Sequence, residues 1–123
     1  MKAILIDVKN QEVKEVEHDN TLENIYKHVD CRTFTVIQID KFNAIFLDDE
    51  GLLKENLYFS YSELHSLLHF ELAGNGLILG VDDEGSSIST TLTVEDVKSK
   101  VTWLPSDFSI EHLVTLNSVK NVL

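Results

Sequence analysis

Two stretches of this chain end in the same four residues, Asp-Asp-Glu-Gly: AIFLDDEGLL, from Ala44 to Leu53, and LILGVDDEGSS, from Leu77 to Ser87. They hold two carboxylate clusters, Asp48, Asp49 and Glu50, and Asp82, Asp83 and Glu84. Such side chains serve a hard cation as oxygen ligands, or serve acid/base chemistry. Neither cluster has the calcium-loop pattern of alternating ligands with a glycine at the sixth position and a bidentate Glu at the twelfth. Asp and Gly after an apolar strand are also turn residues, since Asp bonds nearby backbone and Gly takes positive φ. The expectation is therefore two turns, with no metal and no cofactor, both on one rim of a sheet and together forming an acidic face.

Other constellations are weaker. His65 and His69 in HSLLH are four apart, so on a helix both imidazoles would face one way, but Ser66 stands where metalloprotease chemistry needs Glu. Cys31 in HVDCRTF has His28 three residues before it and Arg32 after it, which would lower a thiol pKa, yet no oxyanion loop accompanies it. The glycines of GNGLILG precede an apolar run, whereas a dinucleotide fingerprint follows a strand and opens a helix. Tyr58, Phe59, Tyr61 and Phe70 could stack a nucleotide ring or simply fill a core.

These residues must be placed by a chain of 123 residues, 43% apolar, enough for one core. A lone cysteine rules out a disulfide framework and a Cys-only zinc site. The N-terminal apolar stretch is too short for a signal peptide and no run approaches a membrane span, so a soluble cytoplasmic protein is expected. A formal net charge of −11 argues against direct nucleic-acid binding, which rests on clustered Lys and Arg.

KAILIDV and the alternating EVKEVE read as an N-terminal hairpin with one buried strand and one charged, edge-like strand. Asn20 or Thr21 precedes LENIYKHV, a short helix with Leu22, Ile25, Tyr26 and Val29 on one face, and Asn20 with Glu23 has capping-box spacing. TFTVIQID and NAIFLD form a second hairpin. Leu64, Leu67, Leu68 and Leu72 predict a helix from about Tyr61 to Phe70, ended by Gly74, Asn75 and Gly76. Leu77 to Val81 is a buried strand with Ser86 to Leu92 as its partner, and Thr93 with Asp96 caps VEDVKSKV. Past Pro105, Phe108, Ile110, Leu113, Val114 and Leu116 suggest a further helix. Its Leu113, Leu116, Val119 and Leu123 would suit a second copy of the chain.

The fold class is thus α+β: a single small domain, residues 1–101, of mainly antiparallel sheet. About five or six strands carry two or three short helices, followed by a helical C-terminal extension over 102–123.

Taken together, MKAILIDVKNQEVKEVE, AIFLDDEGLLKEN, AGNGLILGVDDEG and LTVEDVKSKV resemble a family of small uncharacterised proteins from phages, plasmids and integrative elements of Gram-positive bacteria. That family is a domain of unknown function. The resemblance covers roughly residues 1 to 101 and includes the acidic turn with a nearby Asn, here Asn56. It implies a mobile-element protein of the bacterial cytoplasm and carries over no catalytic residue.

The leading expectation is a non-enzymatic protein that inhibits a host factor, such as a component of antiviral defence, by stoichiometric binding through its acidic surface. The alternative is a small-ligand binder that sequesters a nucleotide signal in a pocket of Tyr58, Tyr61, His65, Gly74, Asn75 and Gly76. Arg32, Lys54 or Lys100 would then have to offset the negative field at the phosphate. An enzyme built on the acidic clusters ranks third.

Overall fold

The computed structural model describes residues 1–51, 57–62 and 71–105. In chain order the elements are β1 (Lys2–Asp7), β2 (Glu12–Glu17), α1 (Leu22–Val29), β3 (Phe34–Gln38), β4 (Asn43–Asp48) and β5 (Tyr58–Tyr61). Then come β6 (Glu71–Ala73), β7 (Gly76–Val81), β8 (Ser87–Ile88), α2 (Val94–Lys98) and β9 (Val101–Trp103). One sheet runs β2-β1-β7-β4-β3, with β8 also on β7, and a second runs β6-β5-β9; every pairing is antiparallel.

Both expected hairpins are present, β1 with β2 and β3 with β4. Strand β7 enters between them, pairing Ile78 with Ile4 on one side and with Ile45 on the other. Because strand side chains alternate between faces, β7 feeds two cores. Leu77 and Leu79 point toward α1, where they pack with Leu5, Phe46, Ile25 and Val29. Ile78 points the other way and packs with Ile4, Ile6, Ile45, Phe59, Tyr61 and Val97 of α2. The large sheet is thus a middle layer, with α1 on one face and the small sheet and α2 on the other.

The small sheet takes Tyr61, the expected start of a helix running to about Phe70. Tyr61 ends a strand, and residues 63–70 lie outside the described residues. Phe59 and Tyr61 alternate toward the core at 0% and 1% exposure, which a strand allows and which suits the β preference of aromatic residues. Leu72, expected on the helical face, lies in β6. Gly74, with φ of 81°, joins β6 to β7 rather than ending a helix. β9 runs across the boundary expected after residue 101, placing Thr102 opposite Ser60 and Trp103 opposite Phe59. The extension from residue 106, with its expected helix and the contact to a second copy through it, lies outside the described residues.

Both described helices are capped by threonine. In α2, Thr93 and Asp96 form the expected capping box. In α1 the cap is Thr21, whose hydroxyl accepts from Asn24 N at 3.2 Å. The Asn20–Glu23 box does not form, because Asn20 has φ of 63° and Asp19 holds the entry by accepting from the Thr21 amide (3.0 Å) and hydroxyl (2.6 Å).

Asn43, 1% exposed, locks the β3–β4 turn to the segment after β8. Its amide donates to Asp40 and to Thr91 Oγ1 (2.9 Å), and its carbonyl accepts from Thr90 Oγ1 (2.6 Å). Replacing Asn43 by Ala orphans these buried groups and is expected to cost about 2–3 kcal/mol. Gly80→Ala would drive a Cβ into the backbone carbonyl oxygen of Ser89 and against Ile88. A loss of about 1–3 kcal/mol is expected for this overpacking. Urea denaturation measures both.

Candidate functional site

The two acidic phrases are turns, built alike. Asp48 Oδ1 accepts from Glu50 N at 2.9 Å, and Asp82 Oδ1 accepts from Glu84 N (2.9 Å) and Ser86 N (2.8 Å). Gly85, with φ of 83° and open space where a Cβ would stand, supplies the left-handed residue of the second turn. In the first, Glu50 takes the Arg32 guanidinium at 3.0 Å, and Asp49 N donates to Thr33 O.

These turns do not share a rim. Asn43 pairs with Gly80 and Phe46 with Leu77, so β4 and β7 run in opposite directions. Asp48 leaves the sheet at one end and Asp82 at the other, roughly 20–25 Å apart along the strands. The single acidic face expected from the repeated phrase is therefore two separate acidic poles. No shared metal site can join them, since oxygen ligands must all come within about 2.6 Å of the ion. Among the described residues no cluster of three or more His, Cys, Asp or Glu is arranged to hold a metal ion.

The residues expected around a nucleotide do structural work. Tyr58 and Tyr61 are buried at 4% and 1% exposure, so neither offers an open ring face. Asn75 bridges three elements, with Oδ1 accepting from Val8 N (3.1 Å) and Nδ2 donating to the His28 carbonyl (3.2 Å). Gly74 N donates to Leu57 O, and a Cβ on Gly76 would stand 2.8 Å from Ile45 Cδ1 and 3.2 Å from Phe59 Cζ. These glycines serve a turn and close packing. His65, His69, Lys54 and Asn56 lie outside the described residues.

The structure opens a different site. Helix α1 has only eight residues and leaves part of the large sheet uncovered toward β3. The result is an open groove of about 380 Å3, with Phe34, Val36, Phe46 and Val81 as an apolar floor. Leu22, 55% exposed, stands on one wall beside Asn20 and Thr21; Gly85 and Ser87 of the second acidic turn form the other. None of the lining residues is acidic, but exposed Asp19 precedes Asn20 in the chain on one wall and exposed Asp83 and Glu84 precede Gly85 on the other. The hydrogen bond from the Thr21 hydroxyl holds the Asp19 carboxyl below its usual range, so it stays charged. Among the described residues no Lys or Arg lines the groove. Its signal in the sequence was the alternation of Phe34 and Val36, of which Phe34 is reached by Tyr26 of α1 while Val36 stays 47% exposed.

Behind this groove, α1 carries a strained histidine. His28 Nε2 is buried with no hydrogen-bond partner among the described residues. Loss of solvation pulls its pKa down, a hydrogen bond with the Glu17 backbone opposes this, and the charges of His18 and Lys27 lower it further. Cys31, the one cysteine of the chain, is half-buried and packs at the end of the α1 core.

Residues 1–102 match the model of a domain of unknown function, DUF3846. The chain belongs to that family. No curated protein and no solved structure matches it. Membership therefore brings a name for the fold without a reaction. No helix among the described residues is long and apolar enough to cross a membrane.

The lowered His28 pKa favours the neutral ring in the folded state. Its contribution to stability is whole above the unfolded value of about 6.5 and is lost as pH falls from there through the lowered folded value. Urea midpoints are expected to drop from about pH 7 to about pH 5, and His28→Gln should flatten part of that slope. A variant with an unchanged slope would show that His28 does not titrate in this way.

Proposed function

We propose that this DUF3846 protein is a non-enzymatic, stoichiometric binding module of phage or mobile-element origin, acting in a bacterial cytoplasm. It inhibits a host protein, an antiviral-defence component being the kind of target such elements face. The observation that carries this reading is the apolar groove, with exposed carboxylates next in the chain to residues of both walls. An apolar floor rewards burial of a partner's side chain, while Asp19, Asp83 and Glu84 favour Lys or Arg beside that side chain and steer its approach. The occupant is accordingly an apolar protein segment flanked by basic residues. A phosphate-bearing ligand is disfavoured there, because among the described residues no Lys or Arg lines the groove.

The test is capture from bacterial lysate at physiological salt, comparing wild type with groove variants of the full chain. Leu22→Lys, on the exposed wall, should weaken capture at least about tenfold, equivalent to ~1.4 kcal/mol. Asp83→Asn with Glu84→Gln should weaken it mainly at low salt. Glu15→Gln on β2, away from the groove, should change nothing. A partner retained equally by wild type and Leu22→Lys would remove the groove from the interaction, and wild type capturing nothing would remove the reading itself.

A further inference from the structure

The two edges of the large sheet are unlike. β2 carries Glu12, Lys14, Glu15 and Glu17, charges that discourage another strand from pairing there. β3 reads FTVIQ with no charge at all, in a chain of which 25% is charged, and no described strand pairs with its outer side.

The backbone of β3 is ready to pair. Asp49 N donates to Thr33 O at 3.1 Å and Ile39 N to Asn43 O at 3.0 Å, so the odd-numbered residues bond inward to β4. In an antiparallel ladder this alternation turns the N–H and C=O of Phe34, Val36 and Gln38 outward. Val36, the middle of the three, is 47% exposed.

We propose that β3 is a self-pairing edge through which two copies of this chain join antiparallel, about a two-fold axis at Val36. In that register Val36 exchanges both backbone bonds with the partner's Val36, and Phe34 and Gln38 pair with the partner's Gln38 and Phe34. All three outward residues are satisfied, and the contact is closed and isologous. Two residues beyond each strand end, Arg32 comes beside the partner's Asp40, and Asp40 beside the partner's Arg32. Arg32, its side chain 79% exposed, already pairs with Glu50, and exposed Asp40 accepts from Phe42 N and Asn43 Nδ2, so the opposite charges would face one another twice while each keeps its own partner. Sliding the register by two residues leaves only two pairs within the strands and separates Arg32 from Asp40. Phe34 and Val36 also floor the groove, so the dimer would set the two grooves side by side on one face, meeting at the axis. The inference does not rest on the binding reading above.

Sedimentation equilibrium of the full chain over a wide concentration series tests it. Wild type is expected to reach a dimer and stop there. Val36→Pro removes only an outward N–H, the place where an edge strand tolerates proline, and should give a folded monomer. Val36→Lys and Val36→Glu place like charges together at the axis, so each alone should weaken the dimer at least tenfold, and their equimolar mixture should form a heterodimer. This pair keeps the test decisive even if the proline variant fails to fold. Wild type that stays monomeric throughout overturns the proposal. So does an oligomer that folded Val36→Pro leaves intact, or a Lys and Glu mixture that stays monomeric while wild type dimerises.

Discussion

Burial of β7 on both faces is the constraint from which the rest of the architecture follows. Leu77, Ile78 and Leu79 are all 0% exposed, and burying such side chains favours folding by about 1.5–3 kcal/mol each. That burial needs a cover on each side. The amphipathic α1 supplies one cover, and the small sheet with α2 supplies the other. β1 and β4 take up the strand's backbone bonds. Gly76 lets Ile45 and Phe59 close over the strand's first residue, and Asn75 ties its entry to β1 and α1.

Local chemistry in the sequence carried much of this. The alternation of EVKEVE, the β-branched and aromatic runs of β3 and β4, and the Thr93–Asp96 box each specify an element through contacts a few residues away. The small sheet was not legible for a related reason. Its aromatic strand YFSY lacks a clean polar alternation, and the spacing of Leu72 from the leucines before it suggests a helix, so local period placed Tyr61 and Leu72 in the wrong element. The relation between the two acidic turns was not legible at all. Whether they share an end depends on strand direction within the assembled sheet, and nothing near Asp48 or Asp82 encodes that. The groove was hidden likewise, since it arises from the mismatch between a two-turn helix and the width of the sheet beneath it.

The placement of charge changes what a net charge of −11 means for this protein. Carboxylates spent on turns, such as Asp48 and Asp82, act on their own backbone. Asp83 and Glu84 remain for the surroundings near the groove, while Asp19, though exposed, also accepts from the Thr21 amide and hydroxyl. Charge and apolar surface thus coincide at the groove, whereas the Asp48 pole is partly neutralised by Arg32.

The strand order also has a consequence for how the chain is made. β1 and β4 are synthesised early, each already paired to a hairpin partner on one side, yet each keeps its inner edge open until β7 follows. The keystone of the sheet is its late arrival. During synthesis, two apolar hairpins must therefore wait near one another without joining in the wrong register, a delay characteristic of folds whose central pairings are distant in sequence. The charges along β2 guard only the outer edge of the first hairpin, so the inner edges of β1 and β4 stay open until β7 arrives.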